Sequence, residues 1–395
     1  MEGLVVKRRR ICVVTTSRAD FGLLCQLLHE IEDDPALQLQ LLVSGAHTSR
    51  GPGNSIREIE ESGLPITQKI PMHIAGEAAL ANLGAIAGAM KRFGTSFTAL
   101  KPDLLVLLGD RFELFAPAIA ALMLQVPIAH IHGGELTEGA IDEQVRHALT
   151  KMASLHFVAT ETYRRRVIQM GEHPRTVFNY GAPGLDALYK VQIPSREELE
   201  KSLGWSLQTP TALVTYHPAI REPLSTRQQM RELIDALLSM KMPAIVTMAN
   251  GDEDGAIINR ALKALCRRYP RRFLWIPHLG HLRYLGCLRY CAVMIGNSSS
   301  GLIEAPSFKL PVVNIGSRQD GRVRAANVID VPCNATAISK AIQLATSRGF
   351  RGKLLGMSNP YDARQNGNVS RSIKNTLRDL DISDRIARKK FWDLP

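Results

Sequence analysis

The chain has 395 residues, of which 45% are hydrophobic and 22% charged, and its net charge is +12. This length suits two domains, each with its own buried core, and the composition is that of a soluble globular protein. Aromatic residues make up only 6%, and the basic residues are scattered apart from KRRR at 7–10 and RRR at 164–166. The positive charge therefore favours a small anionic substrate and argues against a nucleic-acid partner.

The cysteines and the apolar runs indicate a compartment. The six cysteines form no CxxC pair, and Cys287 and Cys291 are interpreted as core residues rather than metal ligands. This usage is typical of a reducing environment. The first apolar stretch is interrupted by KRRR, which predicts no signal peptide, and the run 115–129 is too short to cross a bilayer. We expect a cytoplasmic protein with no membrane partner.

Short β-branched runs alternate with helical periodicity along most of the chain. The predicted strands are residues 11–16, 37–44, 103–108, 127–132, 155–160, 211–216, 244–248, 273–276, 293–295 and 312–315. The predicted helices include residues 21–32, 77–100, 111–124, 225–241 and 256–269. Strands that are apolar on both faces and are each followed by a helix predict parallel sheets covered on both sides. So many strands predict an α/β fold with two Rossmann-like, doubly wound domains.

Glycine and proline punctuate the pattern at NYGAPGLD, residues 179–186, which predicts a seam between domains. The predicted division is 1–182, 183–366 and a C-terminal stretch 367–395, whose sequence has the pattern of two basic amphipathic helices that pack on the first domain. Ligands of doubly wound sheets bind beyond the carboxyl ends of the strands. We therefore expect the active site in the cleft between the two domains.

Two polar clusters follow strands of the first half. In TTSRADFG, Arg18 is a candidate for holding a phosphate, and the simpler alternative is a helix start with Asp20 as its N-cap. No GxGxxG motif follows this strand, which argues against a nicotinamide cofactor. In LLGDRFE an apolar strand delivers Asp110 to its carboxyl end, where a charge is costly unless it is partnered. The candidate partners are Arg111 and Glu113.

The stretch IAHIHGGELTEGAIDEQVRH is rich in histidines and carboxylates. In an extended strand His130 and His132 point to the same side, and one of them is commonly a hydrogen-bonded core residue. Glu135 follows a Gly-Gly turn, and Asp142 lies one helical turn before Arg146 and is able to pair with it. A metal site needs three or four ligands and no tight Cys or His pair follows, so no metal is predicted. An acid–base cluster fits better, because neighbouring carboxylates and histidines perturb one another.

The second half has two more clusters at strand ends. His217 follows a predicted strand and is either structural or a proton carrier. In MIGNSSSGLIE a strand runs into a polar loop that opens a helix, which predicts an anion site, with a serine N-cap as the simpler alternative. Glu304, one turn further, is a candidate for binding ribose hydroxyls. The loop residues are Asn297, Ser298, Ser299, Ser300 and Gly301. Two further candidates for binding phosphate, or for pairing with surface acids, are Arg318 and Arg322.

The ordered set SRADFG, GDRFE, HIHGGELTEGAIDE with RHALTKMA, YHP, IGNSSSGLIE and GSRQDGR resembles the hydrolysing UDP-N-acetylglucosamine 2-epimerases. The resemblance covers the chain from about residue 10 to about residue 361. It implies a GT-B-like fold and the release of UDP and an N-acetylmannosamine-type sugar for the synthesis of sialic-type nonulosonic acids. It also implies a UDP-activated N-acetyl sugar as substrate, no cofactor, and a homodimer or homotetramer.

Carried over by motif, the resemblance makes the first domain the catalytic side and the second the UDP-binding side. The implied sugar-site residues are Asp110, His132, Glu135, Asp142 and His217. The implied nucleotide-site residues are Arg18, Asn297, Ser298, Ser299, Ser300, Gly301, Glu304, Arg318 and Arg322. Several relatives have glutamate where this chain has His132. Either His132 replaces that carboxylate in proton transfer, or Glu135 takes part of its role.

Three alternatives stay open at this point. The first keeps the chemistry and changes the sugar to UDP-2,4-diacetamido-2,4,6-trideoxyglucose, which leads to legionaminic acid. The second is a GT-B glycosyltransferase, against which the acidic cluster around Glu135 and Asp142 argues. The third is a non-catalytic UDP-sugar sensor, which would bind without turnover. Product formation without an acceptor separates the enzyme readings, and turnover excludes the sensor.

Overall fold

The computed structural model describes residues 8–48, 56–74, 79–138, 141–219, 222–249, 254–364, 366–381 and 389–394. The chain forms two compact units. The first consists of Met1–Glu135, Ile141–Tyr189 and Tyr361–Pro395, and the second of Leu136–Ala140 and Lys190–Pro360. The chain thus builds most of the first unit, forms the second, and returns to the first. Within the described ranges, no helix combines the length and the apolar character needed to cross a membrane.

A seven-stranded parallel sheet forms the centre of the first unit. Its strands are β1 (Arg9–Thr15), β2 (Leu37–Val43), β3 (Ile66–Lys69), β4 (Leu104–Leu108), β5 (Ile128–Ile131), β6 (Leu155–Val158) and β7 (Val177–Asn179). They lie side by side in the order β3-β2-β1-β4-β5-β6-β7. The order reverses between β1 and β4, so the loops that follow these two strands lie at the topological switch point, where doubly wound sheets bind ligands.

Helices cover both faces of this sheet. They are α1 (Arg18–Glu32), α2 (Ile56–Glu61), α3 (Ala79–Leu100), α4 (Phe115–Met123), α5 (Ile141–Met152), α6 (Glu161–Gln169), α7 (Ala187–Lys190) and, at the end of the chain, α15 (Val369–Asp379). Short 3-10 turns lie at Gly45–Thr48, Phe112–Leu114, Pro174–Thr176 and Pro183–Asp186. Ile11 of β1 shares a core cluster with Leu24 of α1, whereas the next residue, Cys12, shares another with Phe93 of α3. This alternation explains why the strand is apolar on both faces.

The end of the chain packs on the first unit. Lys374 of α15 donates from Nζ to the buried Asp34 carboxylate at 2.8 Å. In the tail that follows, Lys389 Nζ donates to the Lys151 carbonyl at 2.6 Å, at the C-terminus of α5. A cation at this end of a helix satisfies carbonyls that lack partners within the helix. The second predicted C-terminal helix falls mainly on residues 382–388, which lie outside the described residues.

The second unit contains a six-stranded parallel sheet in the order β10-β9-β8-β11-β12-β13. Its strands are β8 (Ala212–Thr215), β9 (Ala244–Val246), β10 (Phe273–Trp275), β11 (Val293–Gly296), β12 (Val312–Ile315) and β13 (Val328–Val331). Its helices are α8 (Arg196–Leu203), α9 (Thr226–Ser239), α10 (Gly255–Arg268), α11 (Gly280–Tyr290), α12 (Ser300–Ile303), α13 (Ala335–Thr346) and α14 (Arg348–Lys353), with a 3-10 turn at Ala305–Phe308. Here the order reverses between β8 and β11, which places a second switch point at the loops that carry His217 and Asn297.

The predicted fold class is confirmed, since both units are doubly wound parallel α/β structures. All the predicted strands are present, and β3, β7 and β13 were not predicted. These three lie at sheet edges. An edge strand needs no apolar run on both faces, and in β3 Gln68 and Lys69 are exposed. The predicted helix at 111–124 is wrong at its start, because a 3-10 turn precedes α4.

Candidate functional site

Asp20 organises the turn after β1. Its buried carboxylate accepts hydrogen bonds from Thr15 Oγ1 at 2.6 Å and from the Thr16 amide and hydroxyl at 2.9 and 2.8 Å. Although burial opposes ionisation, the nearby His47 imidazole and the hydrogen bonds from Thr15 and Thr16 lower the pKa of Asp20. The expectation that Asp20 is the N-cap is wrong: Ser17 caps α1, and Asp20 completes the capping box from the third position of the helix.

Arg18 is the first residue of α1 and forms an ion pair with Glu58 at 2.6 Å. Both side chains are more than one-third exposed, at 41% and 36%. An exposed ion pair contributes about 0–1 kcal/mol, so exchanging Glu58 for a phosphate costs little. The phosphate-binding role of Arg18 stays a prediction.

Asp110 lies just beyond the carboxyl end of β4 and is paired with Arg146 of α5. The expected partners were Arg111 and Glu113, and this expectation is wrong, because those two residues pair with each other at 2.6 Å. Arg146 is only 1% exposed, so its charge has to be compensated inside the protein. In the sequence the nearest cation to Asp110 is the adjacent Arg111, but the fold brings Arg146 to it from α5, 36 residues further along the chain.

Arg146 joins several parts of this cluster. Besides Asp110, its guanidinium donates to the Glu135 carbonyl at 3.0 Å and to the Glu143 carboxylate at 3.4 Å. The loop after β4, the loop after β5 and the first turn of α5 are therefore fixed to one planar cation, whose fork of donors suits several acceptors at once. Asp142 lies in the same first turn of α5.

The two histidines of the stretch IAHIHGGE, His130 and His132, have different environments. His130 belongs to β5 and its side chain is fully buried. Its Nε2 donates to the Gly109 carbonyl at 2.7 Å, and its Nδ1 is 3.1 Å from Thr150 Oγ1. The strand stops at Ile131, and His132 adopts a left-handed backbone with φ of 66°. The expectation that both side chains point to one side is therefore wrong, because the extended alternation does not reach His132. His130 is the buried, hydrogen-bonded member that the sequence predicted.

His132 instead pairs with Glu135, with Nδ1 2.6 Å from Oε1. Both side chains are buried, 7% and 3% exposed. The intervening turn requires glycine at Gly134, where φ is 77° and a Cβ would lie 2.6 Å from the Tyr163 carbonyl oxygen. The turn thus fixes an imidazole and a carboxylate face to face, an arrangement that can move and store a proton.

The burial of His130 makes the free energy of unfolding depend on pH. Burial lowers the pKa of His130 to about 4, below the ordinary value of 6.5, so the unfolded chain binds the proton more readily. The stabilisation that comes from keeping His130 neutral is then fully present above pH 6.5. It is lost as the pH drops toward 4, which lowers the free energy of unfolding by roughly 3 kcal/mol. His130→Gln has no group that titrates here, so its free energy of unfolding lacks this pH dependence. We expect the excess free energy of unfolding of wild type over His130→Gln, measured by urea unfolding, to fall by roughly 2–3 kcal/mol from pH 7.5 to 4.5. A substitution at the exposed His73 serves as control, and a gap that stays constant would contradict the assignment.

In the second unit, Asn297 clamps the loop that carries His217. Its side-chain oxygen accepts from the His217 amide at 2.7 Å, and its side-chain nitrogen donates to the His217 carbonyl at 2.9 Å. Asn297 is 1% exposed, and its own carbonyl accepts from Gln319 Nε2 at 2.8 Å. This double hydrogen bond joins the ends of β8 and β11 at the switch point. The side-chain amide of Asn297 is therefore engaged with His217, and a nucleotide-binding role for Asn297 stays a prediction.

The serines that follow Asn297 begin a helix of one turn, α12. The Ser298 carbonyl accepts from the Gly301 amide at 3.1 Å, and the Ser299 carbonyl accepts from the Leu302 amide at 2.9 Å. Ser300 Oγ accepts from the Tyr284 hydroxyl at 2.6 Å. Burial, together with the charge of Glu304 near the end of this turn, raises the pKa of Tyr284. So short a helix has a small dipole, and anion binding by this loop stays a prediction that relies on its amides and hydroxyls.

Arg318 and Arg322 lie on different parts of the second unit. Arg318 donates to the Asn297 carbonyl at 3.3 Å, so it lies beside the switch-point loop. Arg322 donates to the Leu136 carbonyl at 3.0 Å and to Thr137 Oγ1 at 3.2 Å. The guanidinium of Arg322 thus holds the short segment that follows Glu135 in the chain. Nucleotide binding by either arginine stays a prediction.

The sequence did not single out Arg146 or Asn297 as organising residues. A signal for the first was available: Arg146 shares the buried face of α5 with Val145, Leu149 and Thr150, and an arginine on such a face indicates a buried acidic partner. No comparable signal existed for Asn297, because its partner His217 is 80 residues away in the chain.

Comparisons with known proteins point in one direction. The sequence profile of the family described as UDP-N-acetylglucosamine 2-epimerase matches residues 29–378. The GDP/UDP-N,N'-diacetylbacillosamine 2-epimerase (hydrolyzing) of Campylobacter jejuni is 37% identical over 390 residues, which cover 98% of this chain and 100% of the relative. The polysialic acid biosynthesis protein P7 of Escherichia coli is 37% identical over 391 residues, 98% of each chain.

A solved structure shows the same fold. The UDP-GlcNAc 2-epimerase from Neisseria meningitidis, bound to UDP-GlcNAc, matches with a TM-score of 0.78 and 17% sequence identity. The match covers 93% of this chain and 99% of that chain. At this identity the likeness concerns the fold alone, a GT-B-like fold with two Rossmann-like domains.

Proposed function

The chain belongs to the UDP-N-acetylglucosamine 2-epimerase family, and from this premise we propose that it is a hydrolysing 2-epimerase. Its substrates are UDP-N-acetylglucosamine and water, and its products are N-acetylmannosamine and UDP. The observation that carries the proposal is the run of contacts from His132 to Glu135, from the Glu135 carbonyl to Arg146, and from Arg146 to Asp110. It holds a proton carrier and two carboxylates around one buried cation.

The chemistry follows from the substrate. The proton on carbon 2 is not next to a carbonyl, so removal through an enolate is not available. Elimination avoids this difficulty: the carbon 1–oxygen bond to UDP breaks while a base removes the carbon 2 proton, and a glycal-like intermediate forms. Water then adds at carbon 1, and a proton returns to carbon 2 from the opposite face. Carboxylates stabilise the positive charge that builds at carbon 1.

We assign the sugar to the first unit. Asp110 follows β4, Glu135 lies in the loop after β5, and Asp142 lies in the first turn of α5, the helix that comes after this loop. All three carboxylates therefore come after the carboxyl ends of two neighbouring strands. Asp110 is oriented by its ion pair with Arg146, and we assign its carboxylate to stabilising the cationic sugar. His217, in the second unit, is assigned as proton carrier or diphosphate partner.

We assign the nucleotide chiefly to the second unit. The amides and hydroxyls of Ser298, Ser299 and Ser300 provide donors for the diphosphate, and Gly301 lets the backbone approach it. Glu304 is assigned to the ribose hydroxyls. The remaining assigned residues are Arg18, Asn297, Arg318 and Arg322. A homodimer or homotetramer in the cytoplasm, working without a cofactor, is part of the same proposal.

A second substrate is favoured by a specific observation. The Campylobacter jejuni relative is named for N,N'-diacetylbacillosamine, whereas the Escherichia coli relative is named for polysialic acid biosynthesis. Both are equally similar to this chain. The alternative substrate is therefore UDP-2,4-diacetamido-2,4,6-trideoxyglucose, with the same elimination and a product that leads to legionaminic-type acids. The two substrates differ at carbons 4 and 6, so rates with each decide between them.

We expect the purified protein to release UDP from one of these two substrates without any acceptor, and to place deuterium at carbon 2 of the product in deuterated water. Asp110→Asn and Asp142→Asn should lower the rate of UDP release by about 100-fold or more, because charge stabilisation or proton transfer is lost. Asp235→Asn, on the exposed face of α9, is the control. Wild-type rates in both site variants would refute the assignment, and acceptor-dependent release would indicate a glycosyltransferase.

A further inference from the structure

The pair formed by His132 and Glu135 has features that a structural histidine does not need. His132 has a left-handed backbone with φ of 66°, a conformation that costs about 1 kcal/mol for most residues. Its Nδ1 is 2.6 Å from Glu135 Oε1. Its Nε2 is buried and has no hydrogen-bond partner among the described residues. A purely structural ring would be stabilised by satisfying both nitrogens, since a buried orphan costs about 1–3 kcal/mol.

His130, two residues earlier, provides the comparison within the same loop. Both of its ring nitrogens have partners, namely the Gly109 carbonyl and the Thr150 hydroxyl. Its side chain is completely buried, whereas His132 keeps 7% exposure. The carboxyl end of β5 thus carries one histidine with both ring nitrogens hydrogen-bonded, His130, and one whose Nε2 has no partner among the described residues, His132.

We propose that His132 is the base that removes the proton from carbon 2, through Nε2, and that Glu135 is its positioning residue. The proposal rests on the proposed function, which it makes specific. Because the Glu135 carboxylate accepts a hydrogen bond from Nδ1–H, the neutral ring keeps its lone pair on Nε2. The carboxylate then stabilises the imidazolium that forms, as an acidic partner does in other histidine-based sites.

The step balances as follows. The Nε2 lone pair takes the carbon 2 proton, and the electrons of that carbon–hydrogen bond form the carbon 1–carbon 2 double bond. The electrons of the carbon 1–oxygen bond leave with UDP. Inversion requires the later proton to arrive on the opposite face, so a different acid delivers it while water adds to carbon 1. The imidazolium of His132 releases its proton to water before the next turnover.

Charged and titratable groups surround this pair from several elements. His130 of β5 interacts electrostatically with Glu135 and His132, which lie in the loop after β5, and with His156, which lies in β6. Arg146 of α5, which pairs with Asp110 and Glu143, donates to the Glu135 carbonyl. Arg166 of α6 donates to the Gly134 carbonyl. Of these groups, Glu135 is the one hydrogen-bonded to the His132 ring, so its removal is the specific perturbation.

The test uses the 395-residue enzyme, one variant at each residue of the pair, and one control variant. His132→Gly removes the ring at a position whose positive φ suits glycine, so the backbone is not strained. We expect it to lose about 100- to 10,000-fold in the rate of UDP release and to regain activity when imidazole is added, in proportion to the imidazole concentration. His73→Gly, at an exposed site, controls for unspecific effects of imidazole.

Glu135→Gln supplies a readout that a structural role would not move. Without the carboxylate the imidazolium that forms during the reaction is less stable, so the acidic limb of the kcat/KM profile should shift to lower pH. An unmoved limb, or His132→Gly at the wild-type rate or without imidazole rescue, overturns the proposal. If the wild-type product carries no deuterium at carbon 2, the elimination itself fails. If deuterium is present and the variants behave as wild type, only the role of His132 fails.

Discussion

Replacing Arg146 with methionine is expected to lower the free energy of unfolding by about 3–5 kcal/mol and UDP release by at least about 100-fold. The guanidinium is 1% exposed and pairs with Asp110 and Glu143, so its removal leaves two carboxylates without their buried cation. Methionine fills a similar volume, which limits any cavity. Urea unfolding and UDP release measure the two effects. The rate falls because Asp110 and the Glu135 backbone lose their common support.

An exposed ion pair provides the matched control. Arg371 of α15 pairs with Glu30 at 3.2 Å and is 57% exposed, so Arg371→Met should cost less than about 1 kcal/mol. Combining Arg146→Met with Asp110→Asn should recover part of the lost stability, because fewer charges are then left uncompensated. Strictly additive losses in the double variant, or an Arg146→Met protein as stable as wild type, would show that this cation is not what stabilises the cluster.

The fold was predictable to the extent that burial leaves a pattern in the sequence. Central strands such as β1 and β4 are covered on both faces, and their continuous apolar runs predicted them. Edge strands such as β3 are half solvated and have no such run, so periodicity did not reveal them. Helix starts depend on single hydrogen bonds: the N-cap of α1 is Ser17, although Asp20 has the same cap-forming chemistry.

The sequence predicted that the candidate site residues follow the ends of strands, but it did not predict which of their side chains contact one another. The partner of Asp110 is Arg146, 36 residues away, and the clamp between Asn297 and His217 joins residues 80 apart. Sequence spacing reports neighbours within one helix or strand, whereas these contacts depend on which strands lie side by side. The alternation argument for His130 and His132 was wrong for a related reason, because the strand ends one residue before His132 and the backbone turns into the left-handed region.

Gly296→Ala is expected to be the most damaging single change in the second unit. Gly296 has φ of 140°, and a Cβ there would lie 1.9 Å from the Thr215 carbonyl oxygen of the neighbouring strand. The clash is with backbone, so β8 and β11 must separate, and the Asn297 amide would lose the Thr215 carbonyl that it now meets at 3.2 Å. We expect a loss of about 3 kcal/mol or more in urea unfolding. UDP affinity, measured by calorimetry, should fall with it, because Asn297 would no longer hold the His217 loop.

The control for this prediction is Gly349→Ala. Gly349 lies in α14, where a Cβ would have no heavy atom within 4 Å. Alanine loses less backbone entropy than glycine on folding, so this variant should be unchanged or more stable by up to about 1 kcal/mol, with unaltered UDP affinity. The same added methyl group then has opposite effects at the two positions, and the difference comes from the approach of β8 to β11. Equal stabilities for the two variants would mean that the two strands do not approach so closely at Gly296, and the clamp on His217 would need another explanation.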